Sequence, residues 1–191
     1  LKMVAVVDVN PFDDNLGLDP LPDIDFNIRC GNTLVGYATE KDLMNDLNYG
    51  DIFAKQEFKE KVTMEMDVVS SAYDTFRKVQ LEQDEDLETF KKAKKELKKR
   101  LEKLNELLNK KLHTATARSM DYNEWKMSHQ PFHWLAEYYD IINGNGGFDV
   151  IIGNPPYVVW KEKDLIEINQ PAEVVEARNL YSAILYRCRS L

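Results

Sequence analysis

Five consecutive residues, Gly153-Asn154-Pro155-Pro156-Tyr157, hold the clearest chemical signal in the sequence. Two prolines in a row fix φ and supply no N–H, so the carbonyls of Asn154 and Pro155 stay free of local pairing and can be aimed outward. The Asn154 side chain adds another carbonyl acceptor beside them. Such an array of neutral acceptors suits an exocyclic amine, whose two N–H groups would be held by the Asn154 side chain and the Pro155 carbonyl. Drawing those hydrogens out of the ring plane weakens conjugation of the nitrogen lone pair with the ring and frees it to attack an electrophilic methyl group. Tyr157 follows where its ring can stack on a planar base taken out of its helix. Elsewhere an Asn-Pro-Pro is an ordinary turn; here an apolar run precedes it and a Tyr follows.

That apolar run, Phe148-Asp149-Val150-Ile151-Ile152, reads as a strand buried on both faces of a parallel sheet. Chemistry in such sheets sits just beyond the strand's C-terminal end, which is where Asn154 falls. Asp149, at the start of the strand, could accept a proton, yet its position away from the C-terminal edge favours a structural role. Val174, Ala177, Leu180, Tyr181, Ile184, Leu185 and Cys188 form a helical stripe that would pack back on the sheet. Upstream, a short helix is expected from about Pro131 to Ile142, stopped by Asn143-Gly144-Asn145-Gly146-Gly147. Near the start, the apolar runs Met3–Val7 and Ile24–Ile28 are separated by a Pro/Asp/Asn/Gly loop, Asn10–Asp23, and Ile28-Arg29-Cys30-Gly31-Asn32 reads as a strand end opening into a tight turn. Thr39-Glu40-Lys41-Asp42 caps a short helix that ends at Asn48-Tyr49-Gly50.

Between these parts the period is helical. Phe58, Val62, Val69, Ala72, Phe76 and Val79 form one stripe; after the polar break Glu82-Gln83-Asp84-Glu85-Asp86, Leu87, Phe90, Leu97, Leu101, Leu104, Leu108 and Leu112 form another. Two long helices would bury these stripes on each other as an antiparallel hairpin, residues 52 to about 118, held by local heptad packing and little else. The second arm is basic: Lys91 to Lys111 holds ten Lys/Arg against three Glu. Two readings of that bias stand, a solvated helix face balanced by acidic neighbours or a surface that meets backbone phosphates.

The chain as a whole has 191 residues, 43% apolar, 30% charged and a net charge of −8, which fits a globular protein and argues against a compact basic nucleic-acid module. Cys30 and Cys188 lie far apart with no Cys or His at metal spacing, so no metal is expected; both read as buried small apolar residues. His129 and His133 have no acidic or Cys partner nearby in sequence and read as packed or surface residues. No stretch approaches the roughly 18 apolar residues of a membrane span, and no signal-peptide pattern opens the chain, so a cytoplasmic location without membrane partners is expected.

The segment Phe148 to Tyr157 closely resembles the catalytic motif of S-adenosylmethionine-dependent amino-methyltransferases. With Leu21-Pro22-Asp23-Ile24-Asp25-Phe26-Asn27-Ile28-Arg29-Cys30-Gly31-Asn32-Thr33-Leu34, Phe132-His133-Trp134-Leu135 and Asn179-Leu180-Tyr181, the arrangement resembles the adenine-specific DNA methyltransferase modules of type IIG and related restriction-modification or phage-defence proteins. The resemblance spans residues 1–38 and 130–191, and treats the hairpin as a place where such proteins carry insertions. It implies an α/β fold: a partial Rossmann-like methyltransferase domain, core parts 1–38 and 130–191, interrupted by a helical insertion over 39–129. It further implies that Asn154 and Pro155 hold the amino group of a flipped adenine in duplex DNA, with Pro156 setting the turn and Tyr157 stacking on the base. Asn32, after Gly31, falls where such proteins contact the adenine of the donor, S-adenosylmethionine; on its own residues the same pair reads equally as a plain turn.

The resemblance also has a gap. A Gly-rich donor loop after a first strand, and an acidic residue ending a second, are not found before Met3. The chain is therefore expected to be a piece of a longer polypeptide that supplies the rest of the donor site, and to be inactive alone. Two rival readings remain at this level. Methyltransferases that act on glutamine amides of release factors or guanine amines of RNA resemble the same Asn-Pro-Pro-Tyr site. A non-catalytic reading makes the hairpin an interaction arm, with the chain dimerising through exposed surfaces of an incomplete sheet.

Overall fold

The computed structural model of the chain describes residues 12, 25–46, 52–81, 87–117, 119–159, 174 and 176–191. The strand expected over Met3–Val7, most of the Asn10–Asp23 loop, the turn at Asn48-Tyr49-Gly50 and the acidic break at 82–86 lie outside these residues. Among the described residues the order is α1 (Glu40–Asp46), α2 (Ile52–Leu81), α3 (Leu87–Thr116), α4 (Tyr122–His129), a single turn α5 (Trp134–Glu137), a π-helical turn (Asp140–Gly144) and α6 (Leu180–Arg189).

The expected α/β architecture is overturned. Apart from two isolated bridges, Asn32 with Pro131 and Val159 with Asn179, the described residues pair in no sheet. Ile28 and the run Val150–Ile152 were to be strand residues; instead Ile28 is 62% exposed, Val150 72% and Ile152 91%. A strand exists only through its partners. A β-branched run with none among the described residues is extended chain, whatever its propensity.

The helical hairpin does form, and its register can be read from side chains. Phe76 meets Phe90, Lys103 pairs with Glu65 at 2.5 Å, and the Lys111 ammonium sits over the Phe58 ring. Residue numbers rise along one arm as they fall along the other, so α2 and α3 run antiparallel. Val62, Val69 and Phe76 on α2, and Leu97, Leu101, Leu104, Leu108 and Leu112 on α3, are buried between them. Each such leucine contributes roughly 1.5–3 kcal/mol of transfer free energy.

The hairpin is not an isolated arm, however. Phe26, Val35, Tyr37, Leu43, Trp125 and Leu135 join the hairpin leucines in one buried cluster. Polar contacts add to the apolar ones: Asn105 Nδ2 donates to Glu137 Oε1 at 2.6 Å, Lys126 pairs with Glu106 at 2.8 Å, and Lys94 pairs with Asp25. Arg29 ties three elements together, pairing with Glu137 at 2.9 Å, donating to the Tyr73 hydroxyl at 2.5 Å and lying over the Phe26 ring. The segments before and after the hairpin thus rest on α3 rather than on a sheet.

Those two segments also cross each other closely. Asn32 N donates to Gln130 O at 2.7 Å, Phe132 N to Val35 O at 2.7 Å and Leu135 N to Tyr37 O at 3.2 Å. Trp134 Nε1 donates to Thr33 O at 3.2 Å. The crossing fixes residues 31–38 beside 130–135 and so places the aromatic cluster from which the Asn-Pro-Pro-Tyr segment departs.

Candidate active-site segment

The chain enters the candidate site from that cluster. Phe148 packs edge-on against Trp134 and Tyr138, with ring centroids 6.0 and 5.4 Å away. Its N–H donates to Leu191 O at 2.8 Å. Gly147 makes this approach possible: at φ +126°, a Cβ there would stand 2.3 Å from the same carbonyl oxygen. Beyond Phe148 the chain leaves the protein. Asn154 and Pro156 are exposed, Pro155 is half-buried and Tyr157 is 80% exposed.

The far end of the segment is held by α6. Leu180 N donates to Val158 O at 2.8 Å, and Val159 bridges to Asn179. Asn179 caps α6 by accepting from Tyr181 N through its side chain at 3.3 Å, and the Tyr181 ring lies 6.0 Å from that of Tyr157. Asn179-Leu180-Tyr181 is therefore brought directly against the end of the Asn-Pro-Pro-Tyr segment, while Leu191, just past the other end of α6, holds its beginning. α6 is in turn anchored through Arg187. Its guanidinium pairs with Asp42 at 3.2 Å and donates to Leu34 O at 3.1 Å; burial lowers its pKa, and the Asp42 carboxylate works in the opposite direction. Leu34, Val174 and Ala183 form a small apolar cluster around the same joint.

Gly31 and Asn32 sit apart from this arrangement, at the crossing. A Cβ on Gly31 would come within 2.9 Å of the Phe132 Cβ, so packing against Phe132 requires the glycine. Asn32 is exposed; its Oδ1 accepts from Leu34 N at 3.2 Å and its carbonyl from Val35 N at 3.0 Å, which closes a turn on itself. An open cleft opens nearby, lined by Cys30, Lys99, Lys103, Glu106, Lys126 and Phe132 among others, but neither Gly31 nor Asn32 lines it. This turn uses one lone pair of Asn32 Oδ1 and leaves the rest of the side-chain amide's hydrogen-bonding capacity unspent on it. No cluster of His, Cys, Asp or Glu among the described residues could hold a metal ion.

Cys30, expected to be buried, is exposed, and Cys188 is half-buried. Cys30 ends the segment that was to be a strand; without that strand nothing covers it. The one short helix expected over 131–142 is broken into α5 and the π-helical turn, with Tyr138 between them at φ −130°.

His133 is fully buried at the centre of the crossing. Its Nδ1 accepts from Tyr37 N at 3.0 Å, which leaves the proton on Nε2, and Nε2–H donates to Asn109 Oδ1 at 3.0 Å. Burial, and then the nearby Arg187 cation, pushes its pKa down from 6.5 to about 3. A folded-state pKa below the unfolded one means that protons favour the unfolded chain. This group's stability contribution is complete above about pH 6.5 and is lost as the pH falls from there toward 3, at up to about 1.4 kcal/mol per pH unit. An NMR titration of the His133 ring should find it neutral down to pH 5 in the folded protein; protonation near 6.5 would show that the Tyr37–His133–Asn109 chain is not intact. The residue stands behind Phe132 and Trp134 as part of the scaffold rather than at the reactive segment.

The family model described as Eco57I restriction-modification methylase matches residues 32–191, most of the chain. No curated protein and no solved structure matches it. The matched region begins at the Asn32 turn, runs through the hairpin and contains the whole Phe148–Tyr157 segment with the helix that holds its end. The chain is a member of the Eco57I restriction-modification methylase family.

Proposed function

We propose that this chain carries the amine-handling motif of an enzyme that transfers a methyl group from S-adenosylmethionine to N6 of adenine in duplex DNA. The observation that supports the reading most directly is the sequence Asn154-Pro155-Pro156-Tyr157 inside a region matched to a restriction-modification methylase family, with its acceptors at the surface rather than spent on the fold. In this reading the Asn154 side chain and the Pro155 carbonyl each accept one N–H of the adenine amino group. Pro156 fixes the turn that aims them, and Tyr157 offers its ring to the extruded base, a contact worth roughly 1–3 kcal/mol in nucleic-acid recognition generally. Neutral acceptors suit this task because the amine enters uncharged and its lone pair must be left available.

DNA is the substrate that a methylase of a restriction-modification family implies. S-adenosylmethionine is the donor, and the exposed Asn32 side chain, which accepts from Leu34 N through one lone pair, meets its adenine with the remaining amide groups. The working protein is a larger restriction-modification polypeptide, and residues 1–191 alone do not turn over. Support for this comes from Val150, Ile151 and Ile152, which have no sheet partners among the described residues to hold Asn154 rigid.

The test is product identity. The full-length polypeptide that carries this sequence is incubated with duplex DNA and methyl-labelled S-adenosylmethionine, and the DNA is digested to nucleosides. Label in N6-methyladenine is expected. Label in cytosine, or in RNA or a release-factor glutamine with none in DNA, overturns the reading.

A further inference from the structure

The charge of this protein is unevenly distributed, and the positive part lies on one helix. α3 carries ten Lys/Arg against four Glu, and α2 five against five. All other residues together carry ten basic against twenty-four acidic groups. If the α3 lysines served only to neutralise acidic neighbours, they would be paired, and part of the set is: Lys91 with Glu88, Lys94 with Asp25, Arg100 with Glu96, Lys103 with Glu65 and Lys110 with Glu106. Lys92, Lys95 and Lys99 form no such pair among the described residues, and all three are exposed.

Their spacing of three and four residues places them on one face of α3, opposite the buried leucines at 97, 101, 104 and 108. At about 1.5 Å per residue the three lysines span about 10 Å along the helix axis, about three phosphate repeats of one DNA strand at roughly 3.4 Å each. The row runs toward the open cleft, which Lys99 lines together with Lys103 and Lys126. Glu88 and Glu102 bracket the row and Glu96 lies within it; Glu88 and Glu96 are engaged by Lys91 and Arg100, which leaves the three lysines as the row's net charge.

We infer that the Lys92–Lys95–Lys99 face of α3 is a backbone-phosphate contact for the duplex on which the methylase acts. The inference rests on the reading of DNA as the substrate. The argument is charge complementarity: a row of exposed cations with no ion pair among the described residues, on a two-helix support in a protein otherwise strongly acidic, meets a polyanion without desolvating a fixed apolar surface. Lysine fits that task, as a flexible point charge with no base to read. The contact contributes affinity and orientation, with no sequence preference.

Duplex DNA binding is measured by fluorescence anisotropy across a salt series, with the full-length polypeptide and without donor. Three forms are compared: wild type, Lys92→Gln/Lys95→Gln/Lys99→Gln, and the α2 control Lys55→Gln/Lys59→Gln/Lys61→Gln. Each neutralised phosphate contributes about 0.9 to the slope of log affinity against log salt. The α3 triple variant is expected to lower that slope by about 2 to 3 and weaken binding about tenfold or more at low salt, equally for unrelated sequences. The α2 control should change little, and thermal melts of all three should coincide. An unchanged slope, an equal loss in the α2 control, or displacement of the protein by poly-glutamate as effectively as by DNA overturns the inference, the last because it marks a surface for acidic protein. Binding is read separately from methylation. Loss of the slope with no N6-methyladenine product would sink the proposed reaction and keep this surface; normal methylation with an unchanged slope would do the reverse.

Discussion

Replacing Asn154 with Ala is expected to lower methyl transfer by about 10²–10³-fold, the cost typical of removing one hydrogen-bonding group that acts in a transition state. The amino group needs two acceptors to draw both hydrogens out of the base plane, and Ala leaves only the Pro155 carbonyl. Asn154→Asp keeps an acceptor of the same reach and is expected to retain much more of the rate than Ala. Asn154 is exposed and its side chain makes no hydrogen bond to the other described residues, so either change should leave thermal stability within about 0.5 kcal/mol of wild type. The loss should fall on kcat, with DNA affinity unchanged, because the contact strengthens only as the amine loses conjugation. An Ala variant that keeps more than a tenth of the wild-type rate would remove Asn154 from the chemistry.

What could be read from the sequence divides by the range of the interactions. Local signals were sufficient for the helices. The Thr39 hydroxyl accepts from Asp42 N at 3.3 Å as its position predicts, and the leucine stripe of α3 is buried as its period predicts. α4 went unread although its signal was present: Asp121 accepts from both Asn123 N and Glu124 N, an N-cap that the surrounding aromatics concealed. The sheet failed for the opposite reason. Val150-Ile151-Ile152 has strong β propensity, yet strand formation depends on partners distant in sequence, and the described residues supply none. The hairpin was expected to stand apart because heptad periodicity reports only helix against helix. The Asn109–His133 hydrogen bond and the Asn105–Glu137 contact, which seat the flanking segments on α3, join residues with no periodic relation. Within the candidate site, the motif itself was legible as residue types in order. Its tethering to α6 at both ends, through Leu191 and Asn179, was visible in the sequence only as the isolated triplet Asn179-Leu180-Tyr181.

The largest stability effect is expected at Gly36, where the two segments cross. Its φ of +144° is one that side chains rarely adopt, and a Cβ built there would stand 2.1 Å from the Phe132 carbonyl oxygen and 2.6 Å from its carbon. Neither chain can step aside cheaply. On one side Phe132 N donates to Val35 O; on the other Tyr37 N donates to His133 Nδ1 and Leu135 N to Tyr37 O, so Gly36 is pinned from both directions. Gly36→Ala must therefore either strain the backbone or part the crossing and leave His133 without its donor in a fully buried site. Strain of about 1–3 kcal/mol, together with about 1 kcal/mol for each hydrogen bond loosened, places the loss near 4 kcal/mol. Gly144→Ala is the control: a Cβ there meets nothing within 4 Å, so denaturant melts should move by no more than about 0.5 kcal/mol. A Gly36→Ala protein within 1 kcal/mol of wild type would show that the segments do not cross this closely. The same crossing holds Trp134, against which Phe148 packs at the root of the Asn-Pro-Pro-Tyr segment, so methylation in Gly36→Ala should fall in step with the folded fraction. Asn154→Ala should lose activity with the fold intact, and the contrast between the two variants separates the group that handles the amine from the scaffold that presents it.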